Sequence, residues 1–249
     1  DAIKRQGHAI ECRIYAEDPN QEFMPSTGRI HFLKEPYGPH IRVDTGIIEG
    51  DEITRYYDPM IAKLIVWGET RLEALHRMQS ALTDYAIGGV KSNLPFLRTM
   101  CQNQAVVQGQ ITTDFLHKHP IILTQPEPKL ALLFAAAYDY LAAQHSVDPL
   151  YSHTFSWQMH LKAAWYKMYR IEKTIYSVQF KPQTAQTVIL DILEDTVELS
   201  AFWQNEQLVI VQNGLPKQRA WFAAKPEGYD CYLPEGVVKI YPDIWAHHQ

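Results

Sequence analysis

At roughly 100–200 residues per domain, a chain of 249 residues makes one or two domains. It is 46% hydrophobic and 20% charged, which supplies a packed core and excludes a disordered chain. Its 12 glycines and 15 prolines fall in no repeat, no apolar run approaches the ~18 residues of a membrane span, and a net charge of -5 without a basic arm or acidic tail speaks against nucleic acid as a partner.

The chain opens on residues 8–15, where Ile10, Cys12 and Ile14 alternate with Glu11, Arg13 and Tyr15. Period two predicts a strand with one apolar and one polar face. A break at residues 16–20 follows. Residues 28–33 read as a second strand, closed by Pro36 and Gly38, and residues 40–44 as a third. Gly50-Asp51 reads as a turn and Tyr57-Asp58-Pro59 as a break before a buried strand over 60–67. Residues 70–87 place Leu72, Leu75, Met78, Leu82 and Tyr85 at helical spacing, with Gly88-Gly89 as the stop. Ser92 is the expected N-cap of a helix reaching about Cys101. Thr112 or Thr113 is expected to cap a last turn over Phe115 and Leu116.

Prolines 120, 126 and 128 mark a boundary, so residues 1–120 are read as one domain, 121–128 as a linker and 129–249 as a second domain. Residues 129–144 form one apolar helix with a stripe of Leu130, Leu133, Phe134, Ala137, Tyr138 and Leu141, a core element or a partner-facing seam. Beyond Asp148-Pro149 the pattern is β: runs at 175–180, 188–193, 197–203 and 207–211, punctuated by Glu194-Asp195, Asn205-Glu206, Asn213-Gly214 and two Pro-Glu-Gly turns. About eight such strands over 155–245 predict an antiparallel barrel or sandwich. The fold class is therefore α+β: a mixed sheet with helices, then a helix with an antiparallel barrel.

Cys12, Cys101 and Cys231 are widely spaced, which predicts neither a disulfide framework nor a zinc site and fits a reducing compartment. No phosphate loop, GxGxxG, HExxH or GxSxG occurs. His117 and His119 read as solvated residues at a helix end rather than metal ligands, and no metal site is expected. Residues 24–28 read as a turn, with a ligand loop as the alternative. Three residues stand out. Glu11 and Arg13 share the polar face of the first strand, and Asp58 sits at the break before the buried strand. An arginine in a cleft stabilises a developing oxyanion, and a carboxylate beside it holds its fork. The alternative is a structural ion pair.

Five segments carry a resemblance. Residues 7–19 (GHAIECRIYAEDP), 23–28 (FMPSTG), 41–44 (IRVD), 56–64 (YYDPMIAKL) and 88–93 (GGVKSN) occur in order over about 110 residues and resemble motifs of the biotin carboxylases. The resemblance implies the C-terminal part of an ATP-grasp biotin carboxylase domain. Arg13 would face the biotin ureido group and stabilise its enolate during carboxylation, with Glu11 and Asp58 supporting that substrate pocket. Arg42 would lie on a strand used for dimer contacts in some relatives, and Thr113 near where relatives close over adenine. The family's Gly-rich lid, phosphate-binding lysines, Glu-x-Asn-x-Arg motif and biotinyl Met-Lys-Met are not found in the sequence. With Asp1 in place of an initiator Met, the chain reads as a middle piece of a longer subunit.

A helix and barrel after such a domain resembles the BT domain of acyl-CoA carboxylase α subunits, with a layout nearest the 3-methylcrotonyl-CoA type. The pattern includes Asp148-Pro149-Leu150, Phe155-Ser156-Trp157 and an end near Trp245. The resemblance implies a carboxyltransferase β subunit and the parent's own biotinyl domain as partners. It implies biotin, ATP and Mg (or Mn) as cofactors of the parent, with none bound to this piece, which should be inactive alone. The setting would be bacterial cytoplasm or mitochondrial matrix, with no membrane. The alternative function is a non-catalytic assembly module that binds the β subunit. Another ATP-grasp ligase is disfavoured by the order of the motifs.

Overall fold

The computed structural model describes Lys4, residues 6–145 and residues 164–243. Its first strand, β1 (His8–Tyr15), alternates as its pattern requires: Cys12 and Ile14 are buried while Glu11 and Arg13 are exposed. Then come β2 (Glu17–Asp18), β3 (Met24–Pro25), β4 (Gly28–Arg29), β5 (Phe32–Lys34), β6 (Ile41–Thr45), β7 (Glu52–Ile53) and β8 (Met60–Gly68). β8 lies between β1 and β6 in a three-stranded antiparallel sheet. The single strand expected over 28–33 is two. β4 pairs with β7 and β5 with β9 (Ala86–Gly88), so Ile30 and His31 turn from one partner to the other, their amides donating to Asp51 and Gly88 carbonyls.

Helix α1 (Arg71–Asp84) lays Leu75, Met78 and Leu82 against Ile14, Leu64 and Val66 of the sheet. The side chain of its N-cap, Thr70, accepts from the Glu73 amide at 3.2 Å, and the Glu73 carboxylate takes the Glu69 amide at 2.9 Å. Both satisfy donors that the first turn leaves open. The helix stops at Asp84, not 87, because the next residues pair with β5. Leu72 is exposed: it lies roughly 120° round the helix from the centre of the buried stripe. α2 (Leu94–Gln102) has Asn93 at its N-cap position, one residue later than expected. Its buried Arg98 donates to the Leu82 and Tyr85 carbonyls at 2.8 Å each, closing the end of α1. Burial lowers that guanidinium to about 10. α3 (Gln104–Val107) and α4 (Phe115–Lys118) complete the unit. The N-cap of α4 is Asp114, not a threonine; Thr112 contributes its carbonyl to the Phe115 amide at 3.0 Å. The His119 ring lies on Phe115, with centroids 4.8 Å apart.

Gly89 follows β9 with φ +115°, and a Cβ there would stand 1.9 Å from the Arg29 carbonyl oxygen. Only glycine admits that approach. Gly89→Ala should therefore destabilise this unit by about 3 kcal/mol, the upper end of the range for local backbone strain. Urea unfolding followed at Trp67, the sole tryptophan before residue 126, reads it out. A loss below about 0.5 kcal/mol, the size of a neutral surface change, would show that the backbone relaxes freely.

The chain forms two compact units, Asp1–Gln125 with Pro234–Gly236 and Pro126–Leu233 with Val237–Gln249. The second holds α5 (Pro128–His145) and eight strands: β10 (Trp165–Ile171), β11 (Thr174–Pro182), β12 (Thr187–Ile192), β13 (Asp195–Gln204), β14 (Gln207–Gln212), β15 (Gln218–Lys225), β16 (Gly228–Leu233) and β17 (Gly236–Asp243). Each strand pairs with the next, and β17 returns to β10 through Ile171↔Ile240, closing an antiparallel barrel. The sequence elements at 148–157, Trp245 and His247-His248 lie outside the described residues.

The barrel surrounds α5. Residues 131–137 are each at most 2% exposed, and seven consecutive residues make about two turns, so every face of the helix is covered. Its partners stand all round. Tyr138 packs on Trp203, Phe222 and Tyr229; the Tyr140 hydroxyl donates to the Thr187 carbonyl at 3.2 Å; Lys129 pairs with Asp195. Four of those seven residues are alanines, which keeps the helix slim where eight strands must close on it. Asp139 is the polar exception. Its Oδ2 accepts from the Tyr169 hydroxyl at 2.6 Å, and its Oδ1 from the Tyr229 hydroxyl and the Lys167 ammonium, both at 2.7 Å.

Candidate active site

The outward face of the three-stranded sheet carries five charged residues of the first unit. Period two sends Glu11 and Arg13 of β1, Lys63 of β8, and Arg42 and Asp44 of β6 to the polar side, while Cys12, Ile14, Leu64 and Val66 fill the core. Registry aligns them into a row: Arg13 stands opposite Lys63, and Lys63 opposite Asp44. Glu11 and Arg42 both lie opposite Ile65, from either side.

Arg13 Nε lies 3.4 Å from Glu11 Oε1, and Arg42 Nε lies 2.7 Å from Asp44 Oδ1. Hydrogen bonding to Tyr15 first, and then to Glu11, raises the Arg13 guanidinium above its ordinary value. The equivalent bond to Asp44 raises Arg42. Both side chains stay largely in water, so these pairs orient the guanidinium groups more than they stabilise the fold. Three cations face two carboxylates here. Arg13 and Lys63, directly opposite like charges, favour an anionic group placed between them.

The backbone carrying Arg13 is held from below. Asn93, buried at the start of α2, accepts the Tyr15 amide on Oδ1 at 3.0 Å and donates from Nδ2 to the Arg13 carbonyl at 3.0 Å. This explains why its side chain does not cap α2. The same amide thus grips the backbone on both sides of Ile14, from the Arg13 carbonyl to the Tyr15 amide, along the free edge of β1. Lys63 and Asn93 both lie within recognised motifs, yet neither was assigned a role from sequence. Period two in residues 60–66 would have put Lys63 on the polar face; nothing local signals what Asn93 grips.

The structure brings Glu11 and Arg13 together and sets Asp58 further along. Tyr15 pairs with Met60, so Asp58 lies beyond the end of β1, away from Arg13. Its Oδ1 accepts the Met60 amide at 2.8 Å, and its charge, after burial, helps raise the Glu17 carboxyl. Asp58 lines a cleft of about 330 Å³ with Gly46, Ile47, Asp51, Glu52, Thr54 and Tyr57 among its walls. No cluster of three or more metal-ligating side chains occurs among the described residues.

Residues 11–118 match the family model of the biotin carboxylase C-terminal domain. The chain is 50% identical over 116 residues to the propionyl-CoA carboxylase alpha chain of Mus musculus, covering 46% of this chain and 16% of that protein. It is 39% identical over 132 residues to the methylcrotonoyl-CoA carboxylase subunit alpha of Dictyostelium discoideum, covering 53% and 19%. It is 46% identical over 117 residues to biotin carboxylase 2 of Bacillus subtilis (strain 168), covering 47% and 26%. A solved structure of Rhizobium etli pyruvate carboxylase superimposes with a TM-score of 0.50 at 36% identity, over 57% of this chain and 14% of that one. The match thus spans about a quarter or less of each of these proteins, and the family model ends before the barrel begins. Residues 11–118 thus have the fold of the biotin carboxylase C-terminal domain they match, and a closed eight-stranded antiparallel barrel follows as a second unit.

Proposed function

We propose that this chain is the C-terminal segment of the biotin carboxylase component, together with the barrel module, of an acyl-CoA carboxylase α subunit. The observation that carries the reading is the Glu11–Arg13 pair on the polar face of β1, inside the matched domain and gripped from below by Asn93. Biotin supplies a ureido group that accepts the carboxyl. Arg13 holds the negative charge that develops on the ureido oxygen, with a rigid fork and a permanent positive charge. Glu11 keeps that fork aimed, and Lys63 adds positive potential across the strand pair. ATP and Mg would be held by the rest of the subunit, where the resemblance puts the Gly-rich lid, the phosphate-binding lysines and the Glu-x-Asn-x-Arg motif.

The test is ATP-dependent fixation of labelled bicarbonate into biotin by the subunit that carries this segment. Glu11→Gln should lower kcat by about 10-fold, because the fork loses its charged brace but keeps its own charge, an effect below the ~10²–10⁴-fold range of a group that itself transfers a proton. Unchanged turnover would reduce the pair to a surface contact. The likeness to propionyl-CoA and methylcrotonoyl-CoA carboxylase alpha chains supports an acyl-CoA thioester as the parent's final substrate, with the choice among them made by the carboxyltransferase. We assign the barrel, with its fully enclosed helix, to docking on that carboxyltransferase subunit. Co-purification lost on deletion of residues 126–249, and kept on deletion of 1–125, supports this; the reverse pattern overturns it.

A further inference from the structure

β1 is an outer strand of its sheet, so the backbone groups of Arg13 and Tyr15 that point away from β8 meet no neighbouring strand among the described residues. Backbone donors and acceptors in such a place need a substitute. Asn93 supplies it. Its Oδ1 accepts the Tyr15 amide and its Nδ2 donates to the Arg13 carbonyl, both at 3.0 Å, and its own backbone amide donates to the Tyr15 carbonyl at 3.1 Å. Its carbonyl accepts the Leu97 amide at 3.0 Å, inside α2. The residue thus acts as a strand partner toward β1 and as a helix residue toward α2. The clasp runs on through Ser26, which donates from its amide to the Ala16 carbonyl at 2.8 Å and accepts the Lys91 amide on Oγ at 2.9 Å.

The place calls for an asparagine. A carboxamide carries its acceptor and its donors on separate atoms of one plane, and Asn is the shortest side chain that has one. Its two ends cannot be exchanged here, since an N–H must be accepted and a carbonyl must be met by a donor. Asn93 is only 6% exposed, so these bonds are shielded from water. Its side chain makes no capping bond to α2; it serves β1. We propose that Asn93 is a positioning residue, which aims Arg13 by fixing the strand backbone from which that side chain projects. The inference rests on the reading of Arg13 as the group that meets the charge on the ureido oxygen. An outer strand held along one side only is free to twist, and Arg13 carries its guanidinium at the end of a long side chain, so a small rotation of the backbone moves the fork further than the backbone itself. Ile14, between the two gripped residues, is wholly buried and pins the inner face of β1, while Asn93 pins its edge. Glu11 braces the fork; Asn93 sets the point it starts from.

The test combines biotin carboxylation kinetics of the subunit that carries this segment with amide hydrogen exchange of the 249-residue chain. Asn93→Ala should lower kcat by about 10- to 100-fold, the cost of a small misplacement of a reacting group, and leave KM for ATP and bicarbonate unchanged. Asn93→Asp has nearly the same shape; it keeps the acceptor for Tyr15 and loses the donor to the Arg13 carbonyl, so it should fold and still lose rate. Because Asn93 acts through Arg13, adding either change to Arg13→Ala should lower kcat by no more than about twofold further. In the chain itself, the Tyr15 amide should exchange about 5-fold faster in Asn93→Ala, since one hydrogen bond is gone. Full kcat in both Asn93 variants beside a slowed Arg13→Ala, losses that multiply with that of Arg13→Ala, or an unchanged Tyr15 exchange would each overturn the role of Asn93 and leave that of Arg13 standing. A full rate in Arg13→Ala would instead overturn the reading of the arginine first, and the positioning role with it.

Discussion

Arg13→Ala should lower kcat for biotin carboxylation by about 10²–10³-fold, the cost of removing one preorganised group aimed at a developing oxyanion. The loss should appear equally in kcat/KM for the biotin acceptor, because the charge it meets exists only near the transition state. Arg13→Lys keeps the charge but loses the planar fork and its bonds to Tyr15 and Glu11, so it should recover only part of the rate. Arg13 is exposed on the sheet face and its ion pair is worth little to folding, so both variants should unfold with the wild type at Trp67. That separates a catalytic loss from a structural one. If Arg13→Ala keeps kcat within twofold while the fold is intact, the pair is a surface ion pair and the reading of β1 as the catalytic strand fails.

Much of this site was legible because it rests on period two. Glu11 and Arg13 had to share the face opposite Cys12 and Ile14 once the segment was a strand, and the structure keeps that division. The helical stripe at Leu75, Met78 and Leu82 was legible for the same reason at period 3.6. What sequence could not give is cross-chain. The strand over 28–33 splits because β7 and β9, far along the chain, each claim one half. Ser92 looked like the cap of α2, but capping chemistry is local and Asn93 is held by β1, 78 and 80 residues away. Leu72 fits a helical spacing yet faces water, because spacing fixes angular position and not where the core lies. The barrel was readable in strand number, from its turns. That its helix lies enclosed was not, although the run of small apolar residues on every face is the signature of such burial.

Asp139 shows where that enclosure is most exposed to damage. Asp139→Ala should destabilise the barrel by about 3–5 kcal/mol, the cost of removing one partner of a buried ion pair. The carboxylate accepts from Tyr169, Tyr229 and Lys167 together; without it a largely buried ammonium and two hydroxyls lose their acceptor. Asp139→Asn keeps the shape and one acceptor oxygen, and should cost less. Asp139→Leu combined with Lys167→Met should recover much of the loss, since an apolar pair of similar volume carries no unpaired charge. Guanidinium unfolding followed at Trp165, Trp203 and Trp221 of the strands measures all three. The same cluster sets a limit at high pH. Burial, then the Asp139 charge, holds the Tyr169 hydroxyl well above its ordinary 10.0, and Tyr229 is raised by the same causes. Above pH 10 the unfolded tyrosines release protons that the folded pair retain, so the unfolded state gains and barrel stability falls as pH rises. Tyr169→Phe should flatten that fall, and Asp139→Ala should reduce it by lowering both hydroxyls. A barrel as stable in Asp139→Ala as in the wild type, to within about 1 kcal/mol, would mean that water reaches these groups and that the enclosed helix is held by apolar packing alone.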